Sequence, residues 1–317
     1  MKKLYVIGNG FDIAHDIDCG YWDFRTYLRN NAEEFLLDLE RIYGVYPLND
    51  EHIISEDALQ KATKAWEKAI YENLWKTFED KLGHPDENDI ESTCSAAIEA
   101  MSDIEFGGIE DTLNQYFESQ FQFIKELQNH LFDWVKQIGL DKAKKVKEGF
   151  SDMDLYLTFN YTPVLERVYG INKAQICHIH GGIPPYCSEP PVIGHGNKAA
   201  ILKRQKWQKE CEEISDEGGA SMNRAFANFY KRTLKDTDYY MFRTNGFFRR
   251  TQSVDEVHVI GHSLGEVDLP YFKALPINVP WKVYYHSKDD KEPFEGTIKS
   301  IGVKCLEMKS SEEFWTK

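Results

Sequence analysis

Residues 4–12 read LYVIGNGFD: four apolar residues, then glycine, asparagine, glycine, phenylalanine and aspartate. An apolar run of this length bounded by glycine has the pattern of a buried strand entering a tight turn. A Gly-Asn-Gly turn after a strand lets backbone approach a diphosphate closely and leaves its amides free to donate. A complete dinucleotide fingerprint needs a third glycine at position 13, where this chain has Ile13. The turn alone therefore leaves open a phosphate cradle or a plain β–α turn.

Outward from that strand, the chain divides by pattern. Residues 20–40 read as helical. Two amphipathic helices follow over Glu56–Leu82 and Ile109–Ile138, with apolar residues recurring three and four apart and the polar stretch GHPDENDIES between the two. The second half changes to short apolar runs at Leu155–Phe159, Gln175–His180, Pro191–Gly194, Val257–Gly261, Trp281–His286 and Val303–Met308, with helical matter at Lys198–Lys235. Strands alternating with helices imply an α/β, Rossmann-like fold with a mainly parallel sheet. The expected organisation is one α/β domain over residues 1–317. It would carry a large helical insertion at about 30–150 and a smaller one at about 198–250.

The composition narrows the function. With 42% hydrophobic and 14% aromatic residues over 317 positions, the chain can bury a core and is expected to be globular. A net charge of −14 opposes non-specific binding to nucleic acid or anionic membranes. From Lys198 to Arg250, however, twelve Lys/Arg face seven Asp/Glu, and Trp207 and Tyr230 lie among them. That segment keeps a nucleic-acid or protein partner open, beside the plainer reading of a solvated helical face. Six scattered cysteines without a CxxC pair suggest reduced thiols. An apolar run of four residues at the start is too short for a signal peptide, and none approaches a membrane span. A cytoplasmic protein without a membrane partner is expected.

Four stretches place polar, small or histidine residues at the end of an apolar run: IGNGFD (7–12), LTFNYT (157–162), HIHGG (178–182) and VIGHSLGEVD (259–268). In parallel α/β sheets ligands bind at the carboxyl ends of strands, so four such ends converging would form one site. The candidate ligand contacts in them are Gly8, Asn9, Gly10, Phe11, Thr158, Gly181, Gly261, His262, Ser263 and Asp268. Asp12 either stabilises charge on a ligand or caps the helix that starts there. His178 and His180 share a face if their segment is extended, and Cys177, Cys187, His195 and His262 raise the question of a metal. Cys177 would point away from both histidines and no zinc spacing is present, so no metal is expected. GHSLG (261–265) fits the G-x-S-x-G nucleophile elbow, yet only His286 follows Ser263 as a histidine, with Asp268 before it. A Ser263 hydrolase is the less favoured alternative.

Taken in order, IGNGFD, TFNYT, HIHG, IGHGN (193–197) and IGHSLGEVD resemble the AbiH family of bacteriophage abortive infection proteins. That family is in turn similar to the SIR2 (sirtuin-like) NAD-binding fold. The resemblance implies NAD as substrate or ligand, with Gly8, Asn9 and Gly10 under its phosphates and Gly261 and Ser263 at the adenosine half. It implies Asn160 beside the nicotinamide ribose and His180 as the catalytic histidine. Thr162 stands where SIR2 proteins usually carry aspartate, and the four zinc cysteines of protein deacetylases are absent. Deacetylation is therefore not expected. The function implied is an antiphage effector hydrolysing NAD, set off by a phage-derived trigger and able to self-associate. The alternative is a sensor of a nucleotide or an ADP-ribose-like signal that acts through a partner.

Overall fold

The structure is a computed structural model that describes residues 1–49, 55–88, 90–92, 123, 125–144, 146 and 149–315. Six strands form one sheet: β1 (Lys3–Ile7), β2 (Leu155–Thr158), β3 (Ile176–His178), β4 (Glu256–Ile260), β5 (Trp281–Tyr285) and β6 (Leu306–Ser310). Their spatial order is β3-β2-β1-β4-β5-β6, and every pairing is parallel. This is the doubly wound order, in which the direction of winding reverses between β1 and β4.

The continuous apolar runs follow from burial on both faces. All four residues of β2 and all five of β4 are buried. Because strand side chains alternate, each strand feeds two cores. Leu4, Val6, Leu155, Leu157, Val257, Val259, Trp281 and Val283 enter one, which is closed by Tyr271, Phe272 and Ile298. Tyr5, Ile7, Tyr156, Ile260 and Tyr284 enter the other, with Phe11, Val164, Leu165 and Phe314. The outer strand β6 is only partly buried and carries Glu307 and Lys309, as suits an edge.

Two expected strands differ. The last begins at Leu306 rather than Val303. Pro191–Gly194 forms no strand, since Pro190 and Pro191 have no N–H to give a ladder, and Val192 N–H reaches only the His180 carbonyl.

The chain divides into two compact units. The sheet unit is Met1–Gly20, Leu131–Val192 and Asp236–Lys317. The second unit, Tyr21–His130 with Ile193–Lys235, is helical in its described residues, with helices at Tyr21–Asn31, Glu33–Ile42, Glu56–Asn73, Lys198–Glu213 and Glu217–Thr233. The long helix expected over Glu56–Leu82 starts at a Ser55 cap and stops at Asn73. There Trp75 and Phe78 turn inward and stack at 4.4 Å. Half of the helix expected over Ile109–Ile138 lies outside the described residues. Among those residues no helix is long and apolar enough to cross a membrane.

The helical unit is braced by buried ion pairs. The Arg25 guanidinium donates to both Glu40 oxygens at 2.6 and 3.2 Å, and Trp75 Nε1–H donates to the same carboxylate at 2.7 Å. Arg204, only 1% exposed, donates to Glu91 and Asn223 and pairs with Glu87. Lys235 Nζ reaches Glu79 at 2.7 Å. Two of the cations read as a basic segment, Arg204 and Lys235, are thus internal struts, and Tyr230 is a buried residue whose hydroxyl donates to Glu87.

Candidate functional site

Parallel strands end on one edge, and the order β3-β2-β1-β4 sets four consecutive strand ends side by side. The loops after them carry HIHGG, FNYT, GNGFD and GHSLGEVD. The four stretches therefore meet, and the contacts among them define the candidate site.

The glycine turn behaves differently from its sequence pattern. Gly8 N–H donates to the Ile260 carbonyl, Gly10 N–H to the Gly261 carbonyl and Phe11 N–H to the Gly8 carbonyl, each at 2.9 Å. These amides are engaged by protein rather than left free for a diphosphate. The glycines serve a close crossing of the β1 and β4 loops. A Cβ on Gly8 would lie 2.6 Å from both Gly261 O and His262 Cα. Gly261 has φ +64°, and a Cβ there would lie 2.3 Å from Phe11 N. The crossing fills the point where the winding reverses and seats His262 against the β1 turn. Asn9 and Gly10 are exposed at the tip, where Asn9 Oδ1 accepts from Cys19 Sγ at 2.8 Å.

Phe11 is a core residue, fully buried against His15 and Trp315, and so corrects the expectation of a ligand contact. Asp12 is not a cap: the short helix Asn9–Ile13 is entered at Gly8 without a side-chain bond. Instead the Asp12 carboxylate accepts from Asn160 Nδ2 at 2.8 Å and from the Thr162 hydroxyl. Burial raises its pKa from 3.8 to about 7, against the opposing pull of the Thr162 and Asn160 hydrogen bonds.

Asn160 also donates to the Gly8 carbonyl at 3.1 Å, so both of its N–H bonds are used within the protein. What Asn160 can offer a ligand is Oδ1, an acceptor. Thr158 is buried at the end of β2, and its Oγ1 accepts from Asn160 N–H at 3.1 Å. The β2 and β1 loops are thereby tied into one polar nest.

His178 and His180 part company because the chain turns after His178. His178 Nε2 lies 2.9 Å from Glu166 Oε1, and its Nδ1 lies 3.2 Å from the Asn160 carbonyl. A carbonyl only accepts, so Nδ1 carries a proton. Gly181 follows in a left-handed turn (φ +77°), where a Cβ would collide with Pro190 O at 2.0 Å.

His180 Nε2 faces Asp268 Oδ1 at 3.3 Å, while the other oxygen of Asp268 lies 3.4 Å from His262 Nε2. One carboxylate thus lies between two histidines within ion-pair distance, although His180 Nε2 and Asp268 Oδ1 form no hydrogen bond with each other. Phe159 packs edge-on to both rings at 5.1 and 4.2 Å, and Tyr271 and Phe272 complete an apolar wall. His180 is 3% exposed and Asp268 7%. Among the described residues no group of three or more His, Cys, Asp or Glu is arranged to hold a metal ion.

Ser263 is exposed, but the left-handed residue of its turn is Leu264 (φ +56°), and no helix follows directly as an elbow requires. Asp268, the acid a serine nucleophile would need, faces His180 and His262 instead. His195 lies in the helical unit: Nε2 meets the Tyr230 carbonyl and the Thr233 hydroxyl, and Nδ1 accepts from Asn197 N–H. It is a structural ring.

A family model described as bacteriophage abortive infection AbiH matches residues 4–285, from β1 to the last residue of β5. The chain belongs to the AbiH family. Neither a curated protein nor a solved structure matches it. The family gives this AbiH protein a role in phage abortive infection. The matched span holds every strand-end loop of the site. Within that span sequence reasoning missed Glu166, which sits on the short helix Val164–Arg167 and is joined to the site only by the fold.

Proposed function

We propose that this AbiH protein acts through a SIR2-like nucleotide site that hydrolyses NAD at the nicotinamide–ribose bond. The observation that carries the reading is the His180–Asp268 pair, set among apolar rings at the strand-end edge. Nicotinamide leaves as a neutral base, so breaking the C1′–N bond needs no acid. What it needs is a base for the incoming water and a counter-charge for the oxocarbenium-like ribose. With the Nε2 proton assigned to the Asp268 side in this proposal, Nδ1 is the basic nitrogen of His180. It accepts the proton of the water that bonds to C1′, and Asp268 balances the resulting imidazolium. The products are nicotinamide, ADP-ribose and a proton. Asn160 Oδ1 is an acceptor for a ribose hydroxyl or for that water.

The diphosphate is not assigned to the amides of Gly8, Gly10 and Phe11, which are engaged. Because His180 is 3% exposed, the loops around it have to part before a substrate reaches it. The test is to follow NAD, nicotinamide and ADP-ribose by mass spectrometry during phage challenge, comparing the native sequence with His180→Ala. A fall in NAD with a rise in nicotinamide in the native sequence alone supports the reading. Protection of the culture with level NAD overturns it in favour of a nucleotide sensor acting through a partner.

A further inference from the structure

The GHSLG turn is the one chemical motif that the proposed reaction leaves without a role. Its geometry gives it one. Leu264 is buried and left-handed, and this backbone folds its N–H back onto His262 Nδ1 at 2.9 Å. An N–H donor can approach only an unprotonated ring nitrogen, so the neutral His262 ring carries its proton on Nε2. That nitrogen is the one directed at Asp268 Oδ2, 3.4 Å away. The ring itself cannot swing: Phe159 lies edge-on at 4.2 Å, Phe272 at 5.0 Å, and the His262 backbone occupies the space a side chain on Gly8 would need.

We propose that GHSLG is a tautomer clamp rather than a nucleophile elbow. In this assignment His262 is a positioning residue that holds one oxygen of Asp268 so that the other stays on His180. The Leu264 amide is held on the ring by the turn that precedes it, and Gly261 lets the loop cross β1 closely enough to seat it. The role rests on the acid–base reading of His180 and Asp268, but the clamp itself can be read without any substrate.

The experiment has two arms. In the first, long-range ¹H–¹⁵N correlation spectra of the full chain with labelled histidine are recorded at a pH where the rings are neutral, and the His262 signals are identified by their loss in His262→Gln. The expected spectrum has His262 in the Nε2–H form. An Nδ1–H form overturns the clamp, whatever the substrate.

In the second arm His262→Phe keeps the ring but removes the N–H, while His262→Gln keeps an N–H donor at a similar reach. The expected result is a kcat loss of roughly 10- to 100-fold in His262→Phe with KM little changed, and most of the rate retained in His262→Gln. Equal rates in the two variants, with both folded, overturn the positioning role. If the native chain does not consume NAD, protection of the infected culture is scored for the same pair. The proposal again requires that Gln protect and Phe fail.

Discussion

The two units bury polar groups to opposite ends. In the helical unit the internal charges include Arg25 on Glu40 and Arg204 between Glu87 and Glu91. A guanidinium keeps its proton throughout the physiological range, so these pairs are fixed struts. In the sheet unit the buried polar groups include Asp12 with Asn160 and Thr162, His178 with Glu166, and Asp268 between His180 and His262. Among them burial raises Asp12 to about 7, so its carboxyl can trade a proton near neutrality. The helical unit's own His195 marks the contrast: burial lowers its pKa to about 4, so it stays neutral and serves as a spacer. Arginine–carboxylate pairs brace the helical unit, and histidine–carboxylate contacts gather at the strand ends of the sheet unit.

The largest stability effects belong to the struts. Glu40→Ala strands the Arg25 cation and the Trp75 N–H in the core. It should destabilise the chain by about 3–5 kcal/mol in urea unfolding. A loss under about 1 kcal/mol would mean that this pair is not a strut.

A comparable effect is expected at the loop crossing of the sheet unit. Gly261→Ala places a methyl against Phe11 N at a left-handed backbone position. It should destabilise by roughly 3 kcal/mol or more, measured by thermal unfolding. Near-native stability would show that the β1 and β4 loops can part freely.

Asp12 gives a smaller effect, tied to pH. Its folded pKa of about 7 lies above the ordinary 3.8, so the native state holds a proton that the unfolded chain has released. That binding makes stability fall as pH rises from about 4 to 7, and the loss persists above. Asp12→Asn removes the term. Its stability relative to the native sequence should therefore improve between pH 5 and pH 8 by on the order of 2 kcal/mol. A gap that does not move with pH would place Asp12 with the fixed charges. The least effect is expected on the surface of the helical unit, where Lys206→Ala removes an exposed pair with Glu210 and should shift stability by about 0–0.5 kcal/mol.

Much of the sheet unit was legible in the sequence because burial on both faces leaves largely apolar runs, as in LYVI and LYL. Polar residues ending those runs could be read as one site for the same reason. Contacts across long sequence gaps could not. Thr162 meets Asp12 across 150 residues, and no local pattern announces it. Glu166 looks like any helical glutamate until the fold brings His178 to it. The glycine turn was ambiguous, because close approach to a phosphate and close approach to another backbone ask for the same residue. Pro191–Gly194 carried the apolar content of a strand without the N–H groups to build one.

If the His180–Asp268 pair carries the chemistry of abortive infection, its loss costs both NAD turnover and protection of the culture. The most direct measurement is NAD and nicotinamide during phage challenge in cells carrying Asp268→Asn, at matched protein level and melting temperature. This change preserves shape but removes the counter-charge for His180. NAD consumption should slow by about 10²-fold or more, and the culture should lose protection. Undiminished NAD loss and full protection from the folded variant would contradict this role for the pair.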